Sequence, residues 1–504
     1  MNTQRNFGRN VAANLLARTW AGVLWFALVP AYLAFLGPEA YGLVGLYLSL
    51  SMIVQLLDLG LSPTMTRELS RASGLASRLA ALKDLTATAE AVTWATALII
   101  ATSLWSVFTL TASGWLRPDS LPQEQVTLAM GLAGLAVAAQ WPVLLYSGTL
   151  AGLNRQTWTA AAGAIFATLR GVGSVLILWK VSPTPAAFFL WNATCSIAHS
   201  LTLALALRRA APPELRGGRP KLAAIAQVSR FAGGMSILAV LAIIVTQVDK
   251  LLLSAWLPLD KYGYYMAAAA VATIPQFIVS PISAALLPEL SHALAHGPTP
   301  GAIALYRRTS RWLAVALAAP TALALTFGDE ILAAWSGNAR LAEEVGLALA
   351  LLMAGAFLNG LMCVPYTWQI ARGWPQIPIR INLASLCAML PALWFGASEF
   401  GPPGAAFAWL TFNLAYVAAN LYSMTNNAPE THPLEGLLQD VLRPILAAVL
   451  VCALATALPV PESRQALGAM LCGILVLGAT AAFIATPQCL KEVLAWRNTR
   501  PISQ

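Results

Sequence analysis

Charge is what this 504-residue sequence has least of. Asp, Glu, Lys and Arg make up 10% of it, against 58% hydrophobic residues. A soluble domain carries about 25% charged residues, so this chain has too few to cover a water-facing surface. Cysteine is sparse as well. The six, Cys195, Cys363, Cys387, Cys452, Cys472 and Cys489, show no C-x-x-C spacing, which argues against zinc-ribbon or thioredoxin-type chemistry and reads as small apolar packing residues. No connection between apolar runs exceeds about 25 residues, too short for a soluble catalytic or nucleotide-binding domain. The patterns G-x-x-x-x-G-K-[ST], H-E-x-x-H and G-x-S-x-G are absent, and with them the chemistry each supports. GVGSVL at 171–176 lacks the third glycine of a dinucleotide fingerprint. His292 and His296 stand four apart and read as a solvated helix face. No metal and no cofactor is expected.

What the chain does have is long apolar runs. Mean hydropathy is +0.68, and about fourteen runs are long enough to cross a roughly 30 Å hydrocarbon core. They lie near 14–36, 40–61, 86–111, 126–150, 158–180, 185–207, 231–257, 263–288, 309–334, 344–370, 378–396, 404–425, 443–460 and 466–487. They are too long for barrel strands and do not alternate polar with apolar, so helices are expected. The first run holds Arg18 and lacks a small-residue cleavage site, so it is expected to remain as the first span.

The net charge of +9 suggests nucleic acid only until its distribution is read. With the N-terminus inside and sides alternating, roughly 23 of the 30 Lys and Arg fall on the inner side and 5 on the outer, a positive-inside bias. This predicts a multi-pass protein of the cytoplasmic membrane with both termini cytoplasmic and no nucleic-acid partner. The longest basic loop, RRAAPPELRGGRPK at 208–221, reads as a flexible linker from its Pro, Gly and Arg content.

That linker separates two related halves. Residues 36–72 and 257–293 match at ten of 37 positions at a constant offset of 221, including Tyr41/Tyr262, Gly42/Gly263, Gln55/Gln276, Glu68/Glu289 and Ser70/Ser291. Each half holds six runs, an even number, so both enter from the same side as a parallel repeat. The expected division is a six-helix bundle at 1–207, a basic linker at 208–229, a second six-helix bundle at 230–425 and two further helices at 426–504.

Charges within apolar runs are costly and mark cavities or partners. Arg170 lies about 18 Å along a helix from Trp158, near the bilayer centre; it reads as a substrate ligand or half of an ion pair. Arg18 faces a cavity or snorkels. Lys250 faces a cavity or snorkels outward. Asp249 and Lys250 are helix neighbours about 100° apart and are not expected to pair with each other. Gln55 and Gln276 are repeat equivalents, expected as polar glue between helices or as cavity lining. Asp58, Glu90 and Asp249 are candidates for a gate or for ion coupling, with Asp58 expected to contact Arg18. Gly148 and Gly152 form a GxxxG expected to mark close helix packing. Seven prolines within spans, from Pro30 to Pro391, are expected to bend them.

Three stretches carry a family resemblance: PAYLAFLGPEAYGLVGLY at 30–47, LLDLGLSPTMTRELSRA at 56–72 and QVDKLLLSAWLPLDKYGYYMAAA at 247–269. They resemble the polysaccharide-transporter branch of the MOP superfamily, the Wzx-type flippases for lipid-linked oligosaccharides. The resemblance implies an all-α fold of V-shaped, MATE-like bundles. It also implies export of an undecaprenyl-pyrophosphate sugar unit to the outer leaflet by alternating access, for surface polymers such as O-antigen or exopolysaccharide. Substrate and membrane lipids are the implied partners, with polymerase and chain-length machinery alongside. Arg18 and Arg170 are then first candidates for the phosphates. The rival readings are a lipid II flippase, a multidrug or cation antiporter of the same superfamily, a membrane glycan ligase or polymerase, and a non-transporting scaffold.

Overall fold

The computed structural model describes residues 2–58, 60–72, 75–221, 237–295 and 297–492, with the backbone alone at 2–15, Arg18, 112–113, 237–239 and Ala242. All regular structure in the described residues is helical. In chain order the principal helices are α1 (Asn2–Val54), α2 (Leu61–Ala72), α3 (Ala76–Trp115), α4 (Gln123–Gln140), α5 (Pro142–Gly152), α6 (Gln156–Lys180), α7 (Pro185–Ala210) and α8 (Ile237–Trp256). There follow α9 (Leu259–Val271), α10 (Ile274–Ala293), α11 (Pro300–Thr326), α12 (Gly328–Ser336), α13 (Ala339–Leu361), α14 (Cys363–Ala371), α15 (Gln376–Asn427), α16 (Arg443–Ala455) and α17 (Arg464–Ile484).

Nine helices among the described residues are long and apolar enough to cross a membrane, or eleven if each of two bent pairs is one span. The expected count of fourteen differs because runs share helices. The first run and most of the second lie in α1, which breaks at Gly37 (φ 76°). A continuous helix would set Tyr32 and Tyr47 about 22 Å apart. Instead Tyr32 packs on Phe188 at 5.3 Å and Tyr47 on Phe189 at 5.5 Å, and those two rings are 5.2 Å apart. The chain therefore folds back at Gly37. Residues 378–396 and 404–425 share α15, which breaks at Gly401 (φ 61°), and Gly396 and Gly404 pack backbone to backbone across that break. Left-handed backbone of this kind is open to glycine and costly for most other residues. The run 231–257 lies partly outside the described residues.

Proline does more than bend. Pro142 and Pro275 sit in the first two positions of new helices, α5 and α10, and Pro365 lies in the first turn of α14. There the missing N–H deprives no neighbour of a bond. Pro30, Pro281, Pro320 and Pro391 lie inside helices.

The chain divides into two compact units, 1–263 and 264–504. In the first, α1 packs on α6 and α8, α4 on α3 and α7, and α2 on α5. In the second, α13 packs on α11 and α15, α10 on α14, and α16 and α17 on α11. The offset of 221 recurs in the backbone: the α4–α5 break caps at Trp141 and the α13–α14 break at Met362. The α2–α5 pairing of the first unit has its counterpart in α10–α14 of the second. The GxxxG glycines serve that first pairing: a Cβ on Gly148 would lie 2.6 Å from the Ser62 carbonyl oxygen, and one on Gly152 2.9 Å from that of Thr66.

The segment 208–221 is not the free tether its composition suggested. Leu215 is buried in a cluster with Leu79, Leu85 and Ala89. The Arg219 N–H donates to the Asp84 carboxylate at 3.0 Å, the Lys221 N–H donates to the Thr88 hydroxyl at 3.0 Å, and the Lys221 ammonium pairs with Asp84. Pro and Gly here shape a strap that lies along α3.

Candidate functional site

Arg170 lies on α6 about 15 Å from the nearer end of that helix. Its Nη2 donates to His199 Nδ1 on α7 at 3.1 Å. A guanidinium only donates, so Nδ1 accepts and the His199 proton sits on Nε2. The imidazole is 4% exposed and stacks on Phe166, with centroids 4.7 Å apart and planes 18° from parallel. The Tyr47 side chain lies near Arg170. Two atoms of this group, Arg170 Nε and His199 Nε2, are buried without a hydrogen-bond partner among the described residues.

The surrounding bonds fix the backbone that carries Arg170. Tyr32 donates to the Gly171 carbonyl at 3.1 Å, and Trp191 to the Leu169 carbonyl at 2.9 Å. Trp20 on α1 donates to Thr168 at 2.9 Å, which sets the early part of α1 beside α6 just below Arg170. The Arg18 backbone is two residues from Trp20; its side chain lies outside the described residues. Among the described residues no carboxylate pairs with Arg170, since every ion pair involves other cations. A guanidinium this deep in a span, with no counter-ion among the described residues, holds a charge that the apolar surroundings leave unneutralised.

The three acidic candidates have different surroundings. Asp58 follows α1 in a 3₁₀ turn and accepts from Ser62 N–H at 3.2 Å and from the Ser62 hydroxyl at 2.6 Å, so it caps the N-terminus of α2. Asp249 is 2% exposed, and Lys250 Nζ lies 3.1 Å from both its oxygens and 2.9 Å from the Thr246 carbonyl. Their pairing corrects the expectation from helix geometry. The lysine stem is long enough to fold back over one residue, and burial of Asp249 rewards it. Glu90 on α3 accepts from the Tyr146 hydroxyl at 2.7 Å, and Tyr146 accepts from Trp94 at 2.9 Å. No cation pairs with Glu90 among the described residues.

Among the described residues, neither glutamine side chain bonds to a second helix. Gln55 is exposed and donates to the Ser51 carbonyl of its own helix at 3.3 Å; Gln276 is exposed beside the α9–α10 break. His199 was missed by the sequence reading. A histidine inside an apolar run obeys the rule that singled out Arg170, and it was open to detection on that ground. Tyr47 gives no such signal. No group of three or more metal-ligating side chains occurs among the described residues, and His296 lies outside them.

Solved membrane transporters share this fold. A structure of the lipid II flippase MurJ in an inward closed conformation superposes with a TM-score of 0.73 at 11% identity, covering 96% of this chain and 99% of that one. An inward-facing multidrug resistance MATE transporter of the MOP superfamily gives a TM-score of 0.67 at 13% identity, over 82% of this chain and 95% of that one. In sequence, a provisionally named O-antigen transporter of Shigella flexneri is 25% identical over 183 residues. The match spans 36% of this chain and 42% of that relative. The family model described as polysaccharide biosynthesis protein matches residues 7–294. That is more than half the chain, and it makes this multi-pass membrane protein a member of the polysaccharide biosynthesis protein family.

Proposed function

We propose that the protein flips an undecaprenyl-pyrophosphate-linked oligosaccharide from the inner to the outer leaflet of the bacterial cytoplasmic membrane, by alternating access. Arg170 receives the pyrophosphate. The observation that carries this reading is Arg170 itself: a guanidinium deep in a span, held by His199, with Nε unpartnered and no carboxylate to neutralise it among the described residues. A transporter rather than an enzyme is also what the family and its fold support. A polar head with two phosphates cannot cross hydrocarbon unaided, while its polyprenyl tail stays in lipid. The chain is then organised as two six-helix repeats, 1–207 and 230–425, with the helices of 426–504 as an addition and both termini cytoplasmic. Arg18, two residues from the Trp20 that bonds α6 at Thr168, is the second phosphate ligand, and Gln55, Gln276 and Lys250 contact the sugar along its path.

Among the acids, Glu90 is the coupling group. Asp58 is engaged in capping α2 and Asp249 is bound to Lys250, whereas among the described residues Glu90 holds only a neutral phenol. The MurJ likeness favours a second reading, a lipid II substrate, which would place its pyrophosphate on the same arginine. One experiment addresses both. In cells carrying Arg170→Ala at normal membrane levels, surface polysaccharide is lost and its lipid-linked precursor accumulates inside. Normal surface polysaccharide would sink the assignment of Arg170, and accumulation of lipid II instead would select the second reading.

A further inference from the structure

The second unit holds a charged pocket that this transport does not use. It opens at one end of three candidate spans: the first third of α11, the helical turns 433–442 that lead into α16, and the segment just past α17. Its volume is about 570 Å³. Three guanidinium groups and three carboxylates meet there. Arg307 lies 3.2 Å from Asp440 and 3.5 Å from Glu435. Arg311 lies 3.6 Å from Asp440 and 3.8 Å from Glu492, and Arg308 lies 3.2 Å from Glu492. Asp440 is 1% exposed, on a π-helical turn, a distortion that often accompanies a functional site.

The network is neutral and has a firm centre and a loose rim. Arg308 and Glu435 have side chains 63% and 47% exposed, and each holds one ionic partner. Gln439 and Gln488 also line the cavity, and neither side chain bonds to a protein group among the described residues. The same turns carry Leu434, Leu438 and Leu442, all exposed, and Leu446, Leu450 and Leu454 continue the series up α16.

A polar pocket with an apolar stripe leading away along a span fits an amphiphile, with its head in the pocket and its chains on the leucines. The charge balance defines the head. A simple anion would face three carboxylates and a simple cation three guanidinium groups; a zwitterion satisfies both and leaves the site neutral. Glu435 and the glutamine oxygens need N–H donors, which a primary ammonium has and a quaternary one lacks. We propose that this pocket binds the head group of a zwitterionic phospholipid with a primary ammonium, its phosphodiester on Arg308 and its ammonium on Glu435.

Native mass spectrometry of the delipidated full-length protein, titrated separately with phosphatidylethanolamine, phosphatidylcholine and phosphatidylglycerol, tests this. Phosphatidylethanolamine is expected to be retained several-fold better than the other two. Arg308→Gln removes that preference. Glu435→Gln removes it too and raises retention of phosphatidylglycerol, because the pocket then carries a net positive charge. Both variants keep the buried Asp440–Arg311 pair, so monodisperse elution is expected. Equal retention of phosphatidylglycerol and phosphatidylethanolamine by the native protein overturns the proposal, and so does an unchanged preference in both variants.

Discussion

Gly42 and Gly263, equivalent residues of the repeat, pack against each other through their backbones. A Cβ on Gly42 would lie 2.8 Å from the Leu259 carbonyl oxygen and 3.3 Å from Gly263 N; a Cβ on Gly263 would strike the Pro38 carbonyl and lie 3.1 Å from Gly42 N. At the offset of 221, Pro38 answers to Leu259. Each glycine thus faces the counterpart of the carbonyl that faces the other, a local twofold of the kind seen in isologous contacts. Gly263→Ala is expected to destabilise the protein by ~1–3 kcal/mol through overpacking, read as a fall in thermal melting. Gly468→Ala, where a Cβ meets nothing within 4 Å, is the control and should be neutral or mildly stabilising. Equal melting of the two variants would contradict the packing.

His199→Phe keeps the stacked ring position on Phe166 but removes the acceptor for Arg170. A hydrogen bond to a charged group contributes about 1.5–3 kcal/mol, so flipping in reconstituted vesicles should slow by roughly ten- to a hundredfold. His199→Asn, which keeps an acceptor, should recover part of the rate. If both variants flip at the native rate, His199 does not position Arg170.

Glu90→Gln removes a span carboxylate whose bond among the described residues is to a phenol. The variant should lose any response of flipping to an imposed pH gradient, while Tyr146→Phe, which keeps the carboxylate, keeps a response. A native-like response of Glu90→Gln would rule out this residue as the coupling group.

Asp58 allows a cap to be told from a gate. Its oxygens serve Ser62, and an amide oxygen caps nearly as well as a carboxylate. Asp58→Asn should therefore leave melting and transport close to native, while Asp58→Ala costs about 1 kcal/mol. A gate that relies on charge would make the two variants equally defective.

Cys489 is fully buried, and burial pushes its thiol up to about 11. The thiolate is the reactive form. Iodoacetamide at neutral pH should leave Cys489 unlabelled in the folded protein and label it in SDS, as read by peptide mass mapping. Rapid labelling of the folded protein at pH 7 would show that the α11–α17 packing is looser than described.

Much of this was legible in the sequence because lipid imposes simple rules. Apolar runs gave helices because the backbone must satisfy itself in hydrocarbon, and Arg170 stood out because a charge there needs a reason. Other features were illegible for local reasons. Hydropathy does not see that Gly37 and Gly401 turn the chain while leaving its helices nearly continuous, so separate runs merged. Helical projection treats Asp249 and Lys250 as diverging and ignores the reach of a four-carbon stem. The composition of 208–221 reports turns, and nothing in it announces that Leu215 is buried or that Asp84 and Thr88 await its backbone. The Arg307–Asp440 network joins residues 133 apart, a pairing no local pattern encodes.

The strap at 208–221 has a consequence for biosynthesis. Every partner of Leu215, Arg219 and Lys221 named above lies on α3, more than 120 residues earlier in the chain. Among the described residues, each of these partners is translated before the strap. The nascent chain can therefore close this part of its first unit on the ribosome, before the second half has entered the translocon.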